Sequence, residues 1–548
     1  MARPLRNAPV ILLAATLVTA AVMILALTWD YTFLQDTWSF LINRREFDAD
    51  AILQPHNEHI VVIPVLIQQL FLHLFGMDTA KPEIFLLTLS LLATAVLLFV
   101  YLSRRVGQWL ALFATILILC LGPAWELLLW PFEVSLIGSM LFGLAMLLAL
   151  EREDRVGDVL ACLFLAVSFG FSSLGIPFAV AAFVAVMQSP RERRWGRVYV
   201  FLVPLVLYAL WYLGWGSEAE SHLSARNVLA SPRFVAEAMA VGVGNLFGLG
   251  TNPIDGMAEK IWGAVLLTLL VIALVWQKLR KPGIDPRFWP VAAAAAANWF
   301  LLAFNQMPGR DAVSSRYQYA SCIFLLMLAA NLLSGERIGR RGVLVGAVVT
   351  ALVIGPNVVV LENGSDFFDR QTVFTRTDTR AIEIARRTVD PDFQLTPEVA
   401  GAPALIDIVA GKYLEAVDEY GSPAYSLAEL EAASPEARRQ ADLVLAAALP
   451  LSARVRSGVY DPTAAENCGL IGGAGMEEVE ADPGSTRVEV PPGSGATISM
   501  RRFASGEYPV SVATVAGGST TTLRVPRDEA PQPWYLHVEA PQGARVCR

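Results

Sequence analysis

The chain has 548 residues, 55% of them hydrophobic and 17% charged, with a mean hydropathy of +0.49. Those values lie outside the range of soluble domains and exclude a wholly soluble protein. The charge is divided, since residues 362–548 carry 27 acidic and 17 basic side chains, a net of −10, whereas residues 1–361 sum to +2.

From residue 9 to residue 361 apolar runs follow one another, each long enough for a bilayer core of roughly 30 Å. They predict spanning helices near 9–29, 83–103, 108–123, 134–150, 158–172, 174–188, 198–215, 260–277, 288–305, 318–334 and 343–361, about eleven in all. The first run follows Arg3 and Arg6 but lacks a small-x-small cleavage site and is long for a signal peptide, so it reads as a retained anchor. With the N-terminus in the cytoplasm, 17 basic residues fall in internal loops or ahead of the first helix, against 8 on the outer side of the membrane part. The positive-inside rule therefore sets the N-terminus inside and, with an odd number of spans, the C-terminal domain outside.

The segment IVVIPVLIQQLFLHLFG, residues 60–76, is apolar enough to suggest a further span. A crossing there would turn every later arginine-rich loop outward. Gln69, His73 and Gly76 also form a polar stripe at helical spacing, so the segment reads as an interfacial or re-entrant helix on the outer face. Three domains follow: a membrane part over 1–361 with an outer loop at 30–82, a mixed helical region over 362–452, and a β-sandwich over 453–548. The sandwich is read from TRVEV, ATISMR, YPVSVATV, STTTLRV and WYLHVEA, short runs separated by Gly, Pro and Ser. Cys120, Cys162 and Cys322 lie in membrane helices as apolar filler. Cys468 and Cys547 bracket the sandwich, where an oxidising compartment favours one disulfide over a metal or catalytic role.

Polar chemistry concentrates on the outer face. Asp36 lies a few residues past the first helix between Leu34 and Trp38. A carboxylate among apolar neighbours at a membrane boundary needs a task or a partner, and desolvation there would raise its basicity as a general base requires. The alternative is a loop Asp capping the next helix. QPHNEH packs His56, Asn57, Glu58 and His59 together in a chain with five histidines. Three readings stand: ligands for a divalent metal, a hydrogen-bonding cluster for a sugar or phosphate, or a polar start to the interfacial helix. Glu126 and Glu133 stand beside Trp125 and Trp130 in PAWELLLWPFE, which is more than an aromatic belt. SFGFSSLGIP, with Ser172, Ser173 and Gly175, is a tight hairpin or a pocket wall. QMPGRDAVSSRYQY offers Arg310, Arg316, Tyr317 and Tyr319 at a helix entrance, where paired guanidiniums suit a phosphate or snorkel to lipid headgroups. No phosphate-cradling glycine loop, nucleophile elbow or CxxC occurs in the sequence. The internal basic loops are short topology determinants, and no nucleic-acid partner is implied.

The arrangement resembles the GT-C superfamily of integral membrane glycosyltransferases, in which many spanning helices follow a large first outer loop with an acidic residue soon after the first helix. LQDTW with Asp36, the QPHNEH stretch and the helix from Ile60 to Gly76 carry the resemblance, over roughly residues 9–361. Many members have two adjacent acids where this chain has Gln35-Asp36. The resemblance implies a polyprenyl-phosphate-linked sugar as donor, an envelope glycan or lipid as acceptor, and transfer with inversion. Asp36 would then deprotonate the acceptor, Arg310 or Arg316 would stabilise the leaving phosphate, and His56, Glu58 and His59 would shape a pocket. Two rival classes are a transporter or flippase of lipid-linked glycan, which would want ionisable groups near the midplane, and a non-catalytic envelope protein that binds glycan through its outer domain.

Overall fold

The computed structural model describes residues 4–219, 222–250, 257–401, 408–457, 468–471, 478–481, 483–493 and 495–547. Every predicted spanning segment is helical. Among the described residues six helices are long and apolar enough to cross a membrane: Asn7–Thr28, Lys81–Val106, Pro131–Leu150, Arg191–Gly214, Glu259–Arg280 and Arg340–Ile384. A bent pair, Gln108–Leu119 and Gly122–Leu129 at 53°, makes a seventh if it is one span. The break falls at Cys120-Leu121, just ahead of Gly122-Pro123, where proline can neither donate to the preceding turn nor fit beside it. Val62–Phe75, in the segment predicted to stay at the interface, is 14 residues, or roughly 21 Å at 1.5 Å per residue. Gly175–Met187 and Phe288–Phe304 are also apolar helices of fewer than 18 residues.

Contacts divide the chain into two compact units. The first comprises Met1–Asp30, Glu46–Phe71 and Lys81–Phe368. Small residues let its helices approach. A Cβ on Gly138 would meet the Phe171 ring at 2.4 Å, and one on Gly143 would meet the Phe178 ring at 2.2 Å. Ser139 Oγ and Ser168 Oγ bond at 3.0 Å between two helices, as polar groups in an apolar bundle must. The helix Ala225–Leu246 was not predicted. Arg226, Pro232, Arg233 and Glu237 dilute its hydropathy, yet it buries Phe234, Ala238 and Val241.

The second unit comprises Tyr31–Arg45, Leu72–Ala80 and Asp369–Arg548. The sequence assigned residues 30–82 to the membrane part, whereas the structure packs two pieces of that loop with the tail. Trp38, wholly buried, meets Tyr413 edge-on at 5.8 Å and donates from Nε1 to the Phe33 carbonyl at 3.0 Å. Leu41, Leu72 and Met77 join the same core, and the Met77 amide donates to the Tyr420 carbonyl at 2.7 Å.

The strands are β1 (Ser452–Arg456), β2 (Cys468–Ile471), β3 (Glu478–Ala481), β4 (Gly484–Val490), β5 (Ala496–Arg501), β6 (Val510–Val515), β7 (Ser519–Val525), β8 (Trp534–Glu539) and β9 (Ala544–Cys547). They form two antiparallel sheets, ordered β1-β7-β4-β9-β2 and β3-β8-β5-β6. All five predicted runs are strands; β1, β2, β3 and β9 are additional. Alternation places Ile498 and Met500 of β5 and Leu536 and Val538 of β8 inward. Cys468 and Cys547 pair in register between β2 and β9 and are disulfide-bonded.

Candidate functional site

Two tight turns and a bent helix of the first unit bring most of the candidate residues together. The first turn is His56 to His59, closed by reciprocal backbone bonds of 3.0 Å, His56 N to His59 O and His59 N to His56 O. Asn57 takes a φ of +51°, a conformation that Asn tolerates better than other non-glycine residues. Pro55 holds Gln54 extended and ends the short helix Ala49–Leu53. Ser173 Oγ donates to the Glu58 carbonyl at 3.3 Å, which ties the turn to the Ser172–Gly175 bend.

The second turn is Met307-Pro308-Gly309-Arg310, with the Arg310 amide donating to the Met307 carbonyl at 2.9 Å. Proline at the second position and glycine with φ +81° at the third are what a type II turn requires. Asn227 Nδ2 holds this loop by donating to the carbonyls of Phe304 at 3.1 Å and Gln306 at 3.0 Å. Gln318 Nε2 donates to Ala312 O at 2.7 Å, and Gln318 Oε1 accepts from Asn245 at 2.9 Å. Asn227 and Asn245 lie on the unpredicted helix. Nothing local in the sequence marks them for this task, because the loop carbonyls and the Gln318 side chain that they bond are more than seventy residues away.

The turns meet through Arg310, which donates from Nη1 to Glu58 Oε1. The two side chains are 17% and 19% exposed. In this half-buried setting the pair is worth more than a surface ion pair, and losing one partner would strand the other. His59 Nε2 lies 3.8 Å from the same Glu58 oxygen. A second pair, Arg316 Nε to Glu126 Oε2 at 3.3 Å, is more exposed. The Glu126 amide donates to Ser315 Oγ at 3.1 Å, and a Cβ on Gly122 at the bend would stand 2.1 Å from the Asn357 carbonyl. Glu133 is buried in a turn of 3-10 helix. Tyr317 feels the charges of Arg316, Arg310, Glu58 and Glu133. The His56 ring meets Phe132 edge-on at 5.2 Å, and Phe132 stacks on Trp130 at 5.3 Å.

Burial would push the Glu58 carboxyl up, but His59 and Arg310 together outweigh it and hold the group below the usual carboxylate value. Burial lowers His59 against the pull of Glu58, with Arg310, His56 and Arg316 adding to the depression. At neutral pH the cluster is thus an ionised glutamate, two guanidiniums and a neutral imidazole. Each guanidinium presents five N–H donors in a planar fork.

Among the described residues no group of three or more His, Cys, Asp or Glu is arranged to hold a metal ion. His56, Glu58 and His59 are not arranged as a metal centre, since one Glu58 oxygen is taken by Arg310 and the His56 ring packs on Phe132. Asp36 belongs to the second unit. It stands at the N-cap position of Thr37–Asn43 with a helical backbone, φ −58° and ψ −17°, and its side chain makes no capping bond. It therefore has the position of a cap without the function. Tyr319 is buried in its helix. A cavity of about 1250 Å³ in the first unit is lined by residues such as Arg105, Glu151, Asp158, Arg197 and Asp285 and by none of the candidate residues. Its buried charges answer one another, Arg105 with Glu151 and Arg197 with Asp158.

No family model matches the chain, and no curated protein matches it. Two similar solved structures are crystal structures of ArnT from Cupriavidus metallidurans. One is bound to undecaprenyl phosphate, with 13% identity and a TM-score of 0.43. The other is in the apo state, with 15% identity and a TM-score of 0.38. Both alignments cover 76% of this chain and 89% of the other.

Proposed function

We propose that the protein is a membrane glycosyltransferase that moves a sugar from a polyprenyl-phosphate donor to an envelope glycan or lipid on the outer side of the membrane. The observation that supports this most is the gathering of Arg310, Arg316, Glu58, Glu126, Glu133 and Tyr317 from three separate loops beside apolar helices. Two guanidiniums at the entrance of an apolar helix suit a phosphate whose chain lies in lipid.

In the reaction the acceptor oxygen attacks the anomeric carbon as the bond from that carbon to the phosphate oxygen breaks. The phosphate leaves with the electron pair, the acceptor proton passes to a base, and the configuration inverts. Arg310 and Arg316 would hold the charge that builds on the phosphate, the task that usually dominates such catalysis. The resemblance to the GT-C superfamily gives the base role to Asp36, the half-buried carboxylate that soon follows the first helix. Replacing Asp36 by Asn, with membrane insertion and Tm unchanged, should abolish transfer from polyprenyl-phosphate sugars; undiminished transfer removes Asp36 from the mechanism.

A further inference from the structure

Two buried polar atoms of the cluster have no hydrogen-bond partner among the described residues, Glu58 Oε2 and His59 Nδ1. Native proteins rarely leave such atoms unpaired, because the loss of their hydration is then uncompensated. They sit on adjacent residues of one closed turn, beside Arg310, and both are left over after the internal bonds are made. Glu58 Oε1 serves Arg310, so Oε2 is the free lone-pair face of an ionised carboxylate and can only accept. His59 Nε2 faces Glu58 Oε1 at 3.8 Å. At 3.8 Å this is a charge contact and not a hydrogen bond; it favours the tautomer with the ring hydrogen on Nε2, which leaves Nδ1 as an acceptor too.

We propose that Glu58 Oε2 and His59 Nδ1 accept two hydroxyl donors of the transferred sugar, leaving the phosphate to Arg310 and Arg316. The proposal rests on the glycosyltransferase reading and adds the division of labour within the site. A ligand that satisfies both atoms must bring two donors. Hydroxyls are favoured over an ammonium because the Glu58–Arg310 pair is neutral as a unit and leaves no net negative charge for a cation to neutralise. A site built to bond a hydroxyl discriminates strongly against a ligand lacking it, because its own buried groups are then unpaired.

The experiment uses the full-length protein in nanodiscs and three probes: a polyprenyl phosphate, the same lipid carrying a hexose, and the same lipid carrying the hexose with two hydroxyls removed. Wild type should bind the hexose lipid at least about tenfold more tightly than its dideoxy counterpart. In Glu58→Gln and His59→Gln that preference should collapse. Binding of the bare polyprenyl phosphate should hold or tighten in Glu58→Gln, because Arg310 loses its counter-charge. Equal loss on all three probes, or an unchanged preference for the hexose lipid in both variants, overturns the proposal. Should Glu58→Gln fail to fold, His59→Gln alone decides. Wild type that binds bare and hexose lipid equally, with Arg310-dependent affinity, overturns this inference and leaves the glycosyltransferase reading standing. Wild type that binds neither lipid overturns both.

Discussion

Arg310 and Glu58 are 252 residues apart in sequence and joined by one ion pair, so the cluster's chemistry is held by single side chains. Arg310→Lys keeps the charge but loses the planar fork, and transfer should fall at least about tenfold with little change in Tm. Arg310→Ala would also leave the Glu58 carboxylate half-buried and alone, a loss of about 3–5 kcal/mol of stability. Comparing the two variants by thermal melting and by transfer separates binding chemistry from fold. The pH dependence follows from the same residues. His59 is depressed below its ordinary value of about 6.5, so the unfolded chain takes up the proton first as pH falls. Stability from neutral His59 is present above about pH 6.5 and is lost through the window below it. Glu58 is depressed as well, so its contribution is present above the ordinary carboxylate value near about 4.3 and is lost only below it. Between pH 7 and pH 5 His59 titrates and Glu58 does not, so His59→Gln should make Tm less sensitive to acidification than it is in wild type.

The loops around these side chains depend on backbone geometry that a few residues supply. Gly122 lies where the bent pair turns, and its amide donates to Asn357 Oδ1 at 3.0 Å. Gly122→Ala would drive a Cβ into the Asn357 carbonyl, costing about 1–3 kcal/mol and displacing Glu126 from Arg316. The expected readout is a lower Tm together with reduced transfer. Gly309→Ala meets no neighbouring atom but must hold a φ of +81°, so it should cost about 1 kcal/mol through strain alone. Much of this layer was readable in advance. The eleven apolar runs announced themselves because a bilayer demands unbroken hydrophobicity, and QPHNEH and RDAVSSRY stood out because polar residues are rare in such a chain. The helix Ala225–Leu246 was hidden because Pro232 and four charged or polar side chains obscure a span whose stability comes from packing: Gly244 lets Glu259 approach until a Cβ would be 2.8 Å from its carbonyl. Pairing was hidden for a deeper reason. Which arginine meets which glutamate is decided by how helices assemble, and residues in one loop carry no record of residues 252 positions away.

Taken whole, the molecule joins an apolar helical unit to an acidic unit that ends in a disulfide-closed sandwich, and neither follows the boundaries that composition drew. Composition changes at residue 362, yet Trp38 and Met77 belong to the second unit because their large apolar side chains are buried in its core. The Cys468–Cys547 disulfide closes β2 onto β9. Cys547→Ser paired with Cys468→Ser should destabilise the second unit by about 2–5 kcal/mol, read as a lower melting transition that a reductant reproduces in wild type. The central claim is that Arg310 and Arg316 hold the phosphate of a lipid-linked sugar during transfer. The most direct measurement is release of polyprenyl phosphate from a panel of polyprenyl-phosphate sugars by the purified protein in nanodiscs, comparing wild type with the double variant Arg310→Lys, Arg316→Lys at equal Tm. The account predicts turnover of at least one donor by wild type and a loss of at least about 100-fold in the double variant. Equal turnover in the two proteins, or none by wild type from any donor, would contradict it.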